Sequence, residues 1–174
     1  TVTYYFANNA QNTSSSSLKI TTDDSTSMIV NTGNAAFEIS KNPFSLFKKV
    51  TVNSSVITDS YDNGIELKDA NGEIYNLKNS IPSSIKIIEQ GPLMLTLQID
   101  GTLKLSNSKL MSDYILYVYF YANKSYVKID YTIGNHAQAM VTDTGSYDVF
   151  NYYGANSITF SYLTFVVSLN KNAN

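Results

Sequence analysis

The chain has 174 residues, with 12 basic and 14 acidic groups and a formal charge of −2, long enough for one domain with a core of its own. Near-neutrality excludes the electropositive footprint that nucleic acid or an anionic membrane surface would require. Every basic residue is Lys and Cys is absent. The bidentate guanidinium fork for carboxylates and phosphates is therefore missing, as are disulfides, thiolate catalysis and any Cys-based zinc site.

In chain order, the first element is Thr1 to Ala7, which sets Val2, Tyr4 and Phe6 on one face with the period of a half-buried strand. Asn8 to Ser17 carries no apolar residue larger than Ala10 and reads as a polar tether, unable to bury enough surface to offset its ordering entropy. Residues 1–17 are thus expected to be an N-terminal donor strand on a leash, and 18–174 a single β head. The chain opens with Thr and shows no charged-then-apolar leader, the expectation for a mature form whose signal has been removed or for an excised fragment. No run approaches the eighteen apolar residues of a membrane span.

Beyond the tether nearly every segment reads as strand. Leu18 to Thr22 and Ser27 to Asn31 flank the polar Asp23-Asp24 pair; Ala35 to Ser40 alternates, with Phe37 and Ile39 on one face. Phe44 to Val52 leads to a turn at Asn53-Ser54, and a helical turn around Ser45 to Lys49 is the one competing local pattern. Ile65 and Leu67 are answered by Ile74 and Leu77 across Asp69-Ala70-Asn71-Gly72. Asn-Gly is a strong hairpin signal, since the favoured two-residue turn needs positive φ at both positions.

Ser84 to Glu89 is closed by Gly91-Pro92, after which Leu93, Leu95, Leu97 and Ile99 are predicted to point inward. Asp113 to Tyr121 and Ser125 to Ile133 form a second hairpin. Tyr114, Leu116, Val118 and Phe120 share one face of its first arm; Val127, Ile129, Tyr131 and Ile133 share one face of its second. Ser157 to Leu169 closes the chain as a long β-prone run. Many short strands with closely spaced turns predict an all-β fold, an antiparallel β-sandwich or barrel with a protruding N-terminal donor strand. The 14 Tyr and 8 Phe read mainly as sheet packing and edge cover. A sugar-stacking platform is the alternative use.

Catalytic chemistry finds little to stand on. The single His, His136, has no Cys and no His partner, and reads as structural or surface. No nucleophile elbow, phosphate loop or zinc motif occurs. Asp23 and Asp24, adjacent on a strand, would point to opposite faces. Asp59 and Asp62 form an oxygen-rich turn short of the six to eight ligands that Ca²⁺ takes; Asp143 and Asp148, flanking Gly145, read as turn residues. The chain is therefore expected to be non-enzymatic, without metal or cofactor. Asn12, Asn53 and Asn123 stand in N-x-S/T sequons and are candidate N-glycan acceptors at exposed turns.

From about Ile29 to Asn135 the order of motifs resembles the N-terminal β domain of the exo-rhamnogalacturonan lyase family. The resemblance is carried by Phe37-Glu38-Ile39-Ser40-Lys41, Leu67 to Tyr75, Glu89-Gln90-Gly91-Pro92-Leu93 and Tyr117 to Tyr131. It implies a fold rather than an activity: in that family the domain precedes a large helical catalytic domain, and no such helical domain is expected within these 174 residues. In layout (an N-terminal strand, a polar linker, sequons and a Cys-free β head) the chain is similar to the thread filament subunits of Sulfolobales archaea. That likeness implies an extracellular homopolymer in which the N-terminal strand of one subunit completes the sheet of the next. The alternative is a carbohydrate-binding or accessory β domain of a polysaccharide-degrading, rhamnogalacturonan lyase-like enzyme.

Overall fold

The computed structural model describes residues 16–105, 110–135 and 160–170. Val2, Tyr4, Phe6, Asn12, His136, Asp143 and Asp148 lie outside the described residues. Two antiparallel sheets face one another as a sandwich. The first runs in chain order, β1 (Lys19–Asp23), β2 (Ser27–Asn31), β3 (Ala35–Lys41), β4 (Phe44–Val52) and β5 (Ser55–Asp59). The second is built from β6 (Gly64–Asp69), β7 (Ile74–Asn76), β8 (Ser84–Gln90), β9 (Met94–Lys104), β10 (Leu110–Tyr121), β11 (Val127–Asn135) and β12 (Phe160–Val166). Its order is β11-β10-β9-β7-β6-β12, with β8 also paired to β9.

Alternation decides which face of each strand goes inward. Met28 and Val30, Phe37 and Ile39, and Phe44 and Leu46 line the first sheet. Leu95, Leu97, Ile99 and Leu103, and Tyr114, Leu116, Val118 and Phe120, line the second. Phe37 joins the two layers, its ring 5.5 Å from Phe120 and 5.7 Å from Phe47. Ser45 to Lys49, the stretch with a competing helical pattern, lies within β4.

Several local expectations are corrected. Leu93 is 76% exposed: it belongs to the turn that returns the chain from β8, where the Gly91 N–H donates to Met94 O at 2.8 Å. Inward alternation therefore starts at Leu95. In the next correction, the β6–β7 register sets Leu67 opposite Tyr75, so Tyr75 fills the core while Ile74 is exposed. The hairpin exists, but of Asn71 and Gly72 it is Gly72 alone that takes positive φ (+85°). The Asp69 side chain shapes this turn by accepting from the N–H groups of Asn71 (2.9 Å) and Glu73 (2.8 Å). Positive φ at two successive central residues occurs instead at Asn53 (47°) and Ser54 (70°), joining β4 to β5. There Val52 pairs with Ser55, the two-residue connection whose twist matches the strands.

Candidate functional site: an open strand position

The second sheet divides along β9. One edge of β9 is held by β10 over its whole length. The other is shared: β8 pairs from Asp100 to Leu95, and β7 meets it at Lys104. Beyond β7 the layer continues through β6 to β12. Beyond β8 no strand follows among the described residues. Among the described residues, then, the layer runs further from β9 through β7 than through β8.

Burial follows that division. Ile87 pairs with the core residue Leu97 and so faces inward, yet it is 41% exposed. On the same side of the sandwich, β4 changes character halfway. Phe44 to Phe47 are buried, and Lys48 to Val52 only half-buried, although Val50 and Val52 share the inward face of Phe37 and Ala35 through their pairing. Across from the buried half lie β6 and a 3-10 turn at Leu77–Asn79. Ser45 Oγ donates to Asn63 O there at 3.2 Å, and Asn63 Nδ2 donates to Phe47 O at 2.7 Å.

The final described segment closes this lower half. β12 pairs with β6 and sets Phe165 against Phe47, rings 6.2 Å apart. The chain then crosses to the first sheet, where Leu169 bridges Thr58 and the Asn170 N–H donates to Ile57 O at 2.8 Å. Even so, the inward residues Leu163 and Phe165 of β12 remain 38% and 37% exposed. A cavity of ≈ 300 Å³ opens where β6 begins, lined in part by Gly64, Ile65, Leu77 and Val166. The upper half of the same side has no such closure among the described residues.

The opposite side of the sandwich differs. β11 and β1 are the last described strands of their sheets, and Val127, Ile129, Tyr131 and Ile133 are half-buried. Charge guards these edges: Lys41 pairs with Asp23 of β1 at 2.6 Å, and Lys128 with Asp130 of β11 at 2.8 Å.

The remaining predicted residues are dispersed. Asn53 is exposed at its turn. Asn123, also exposed, accepts from Ser17 Oγ through its side-chain oxygen at 2.8 Å, while its N–H donates to Thr32 O at 2.6 Å. Asp59 and Asp62 do not converge on a common point: Lys48 Nζ lies 2.6 Å from Asp59, and Lys78 Nζ lies 2.6 Å from Asp62. The hydrogen bond from Lys48 holds the Asp59 carboxyl below the usual range and raises Lys48 in turn. Asp24 accepts from Thr26 Oγ1 at 2.7 Å and from the Thr26 and Ser27 N–H groups, which keeps its pKa low. It shapes a turn.

The outer face of the second sheet carries Tyr117, Tyr119 and Tyr121 in one column on β10, in register with Gln98 and Asp130 on either side of Tyr117. Lys128 Nζ sits 4.7 Å over the Tyr119 ring, and Tyr121 leans on Tyr126 at 5.9 Å. No protein-family model and no curated protein matches this chain.

Proposed function

We propose that this protein is a non-enzymatic structural subunit of an extracellular filament, assembled by donation of the N-terminal strand of one copy to the head of the next. The observation that carries this reading is the open strand position beside β8. There, among the described residues, no strand covers the inward apolar side chain of Ile87 or the half-buried Val50 and Val52. The same chain carries a segment of complementary kind, Thr1 to Ala7, with Val2, Tyr4 and Phe6 alternating.

Free backbone groups on a sheet edge template a further strand, and alternate pockets read alternate side chains. Burial of the three large side chains contributes about 1.5–3 kcal/mol each before ordering costs. The tether from Asn8 to Ser17 reaches at most ~33–36 Å when extended, enough to bridge neighbouring heads. Donor and acceptor are different surfaces, so the contact is head-to-tail and propagates unless rotation closes a ring. The layout shared with thread filament subunits points the same way. Asn53 and Asn123 are exposed, as acceptors for N-glycans on a filament exterior would need to be.

The carbohydrate-binding alternative has less support. The outer tyrosine column that would stack on a sugar is engaged by Lys128 and Tyr126 of its own chain.

Light scattering tests the proposal. The full chain forms polymers, a chain lacking residues 1–15 stays monomeric, and a Thr1–Ala7 peptide binds that truncated chain. A full chain that remains a monodisperse monomer at all concentrations contradicts the reading.

A further inference from the structure

Among the described residues more than one sheet edge is open to a donor strand, and we infer that the acceptor is the sector between the edge of β8 and the distal half of β4, not the β11/β1 side. The inference rests on the strand-donation reading above and names its site. Three observations select the sector. Among the described residues, the inward face of β8 exposes Ile87 by more than a third, whereas the inward residues of β11 are better covered. Among the described residues no strand follows β8 in its sheet, while the first sheet continues through β4, whose Lys48 to Val52 are only half-buried. A strand entering there would cover Ile87 together with Val50 and Val52.

The occupant is Thr1 to Ala7 of a second copy. The described head begins at Ser16, whose Oγ donates to Pro92 O at 2.7 Å in the β8–β9 turn, so the fifteen residues that precede it in sequence join the head at that end of the sandwich. The last seven to be reached are the strand-like ones. β8 is seven residues long, six of them paired with β9, a length that a seven-residue strand matches. Paired antiparallel to β8, the commoner and slightly more stable arrangement, the donor brings Tyr4 opposite Ile87, both at the middle of their strands. Val2 and Phe6 fall on either side, facing Val50, Val52 and Ile85.

The absence of Cys from the chain makes the site directly testable in the full-length protein. Directly opposed residues of paired strands lie at about 4.5–5.5 Å between Cα atoms, within the range a disulfide spans. Full chains carrying Tyr4→Cys and Ile87→Cys together are oxidised and run without reductant, beside chains carrying Tyr4→Cys and Ile129→Cys. The expected result is a ladder of covalent oligomers for the Ile87 pair and none for the Ile129 pair. A ladder with Ile129→Cys alone overturns the assignment to β8 while leaving strand donation intact. Crosslinking within one chain, a faster-migrating monomer, overturns donation between copies. If wild-type protein polymerises but neither pair crosslinks, the β8 site is again wrong. If it does not polymerise at all, the strand-donation reading fails before the site is in question.

Discussion

At the scale of single residues, the tightest constraint in the core is between Gly101 and Tyr114. They are paired across β9 and β10 on the inward face. A Cβ built on Gly101 would overlap the Tyr114 hydroxyl and ring edge, so the missing side chain is what lets a full-sized phenol, 1% exposed, enter the sandwich. Among the described residues the Tyr114 hydroxyl has no hydrogen-bond partner, and burial pushes its pKa upward. Gly101→Ala is predicted to overpack this point at a cost of about 1–3 kcal/mol, read as a lower midpoint in thermal unfolding. Tyr114→Phe added to it should return part of the loss, because the hydroxyl is the nearest obstacle and is itself unsatisfied. Strict additivity of the two losses would show that the two sites do not press on each other.

At the scale of elements, one side chain ties three segments together. Asn63 is 1% exposed. Its amide donates to Phe47 O of β4 and to Thr58 Oγ1 of β5, both at 2.7 Å, and its oxygen accepts the Ser168 N–H at 2.7 Å. Losing those bonds should cost about 2–4 kcal/mol in denaturant unfolding for Asn63→Ala, given ~1 kcal/mol for each net and more where a partner is left buried. A loss within about 0.5 kcal/mol, the scale of a neutral surface change, would mean that the crossing from β12 to β5 holds by packing alone.

Strand existence was legible in the sequence because one-sided burial imposes period 2, and β3, β9 and β10 follow it apart from the buried Ser40 and Thr96. Register was less legible. A one-residue slip exchanges the faces of a strand, and the Asn71-Gly72 turn, with positive φ at Gly72 alone, put Tyr75 rather than Ile74 into the core. The open position could not be read at all. Ile85, Ile87 and Ile88 signal a buried strand, but which of them stay uncovered depends on the neighbours of β8, a tertiary property. A run that is apolar on both faces was the nearest available signal.

At the scale of the whole molecule, stability rests on the two-layer apolar core. The described ion pairs, such as Lys41–Asp23 and Lys78–Asp62, join largely exposed groups and contribute between nothing and about 1 kcal/mol each. Salt should therefore change assembly little, because the proposed contact is apolar side chains and backbone pairing. Among the described residues no strand follows β8 in its sheet, and the proposed strand donation would have a neighbouring copy supply one.

Hydrogen exchange puts that most directly to the test, comparing the assembled wild-type chain with a full-length variant carrying Tyr4→Asp and Phe6→Asp, which should remain monomeric. The prediction is that outward amides of β8 exchange much more slowly in the assembly, with those of β1 and β11 unchanged. Equal exchange of β8 in both samples, or slowing confined to β11, would contradict it.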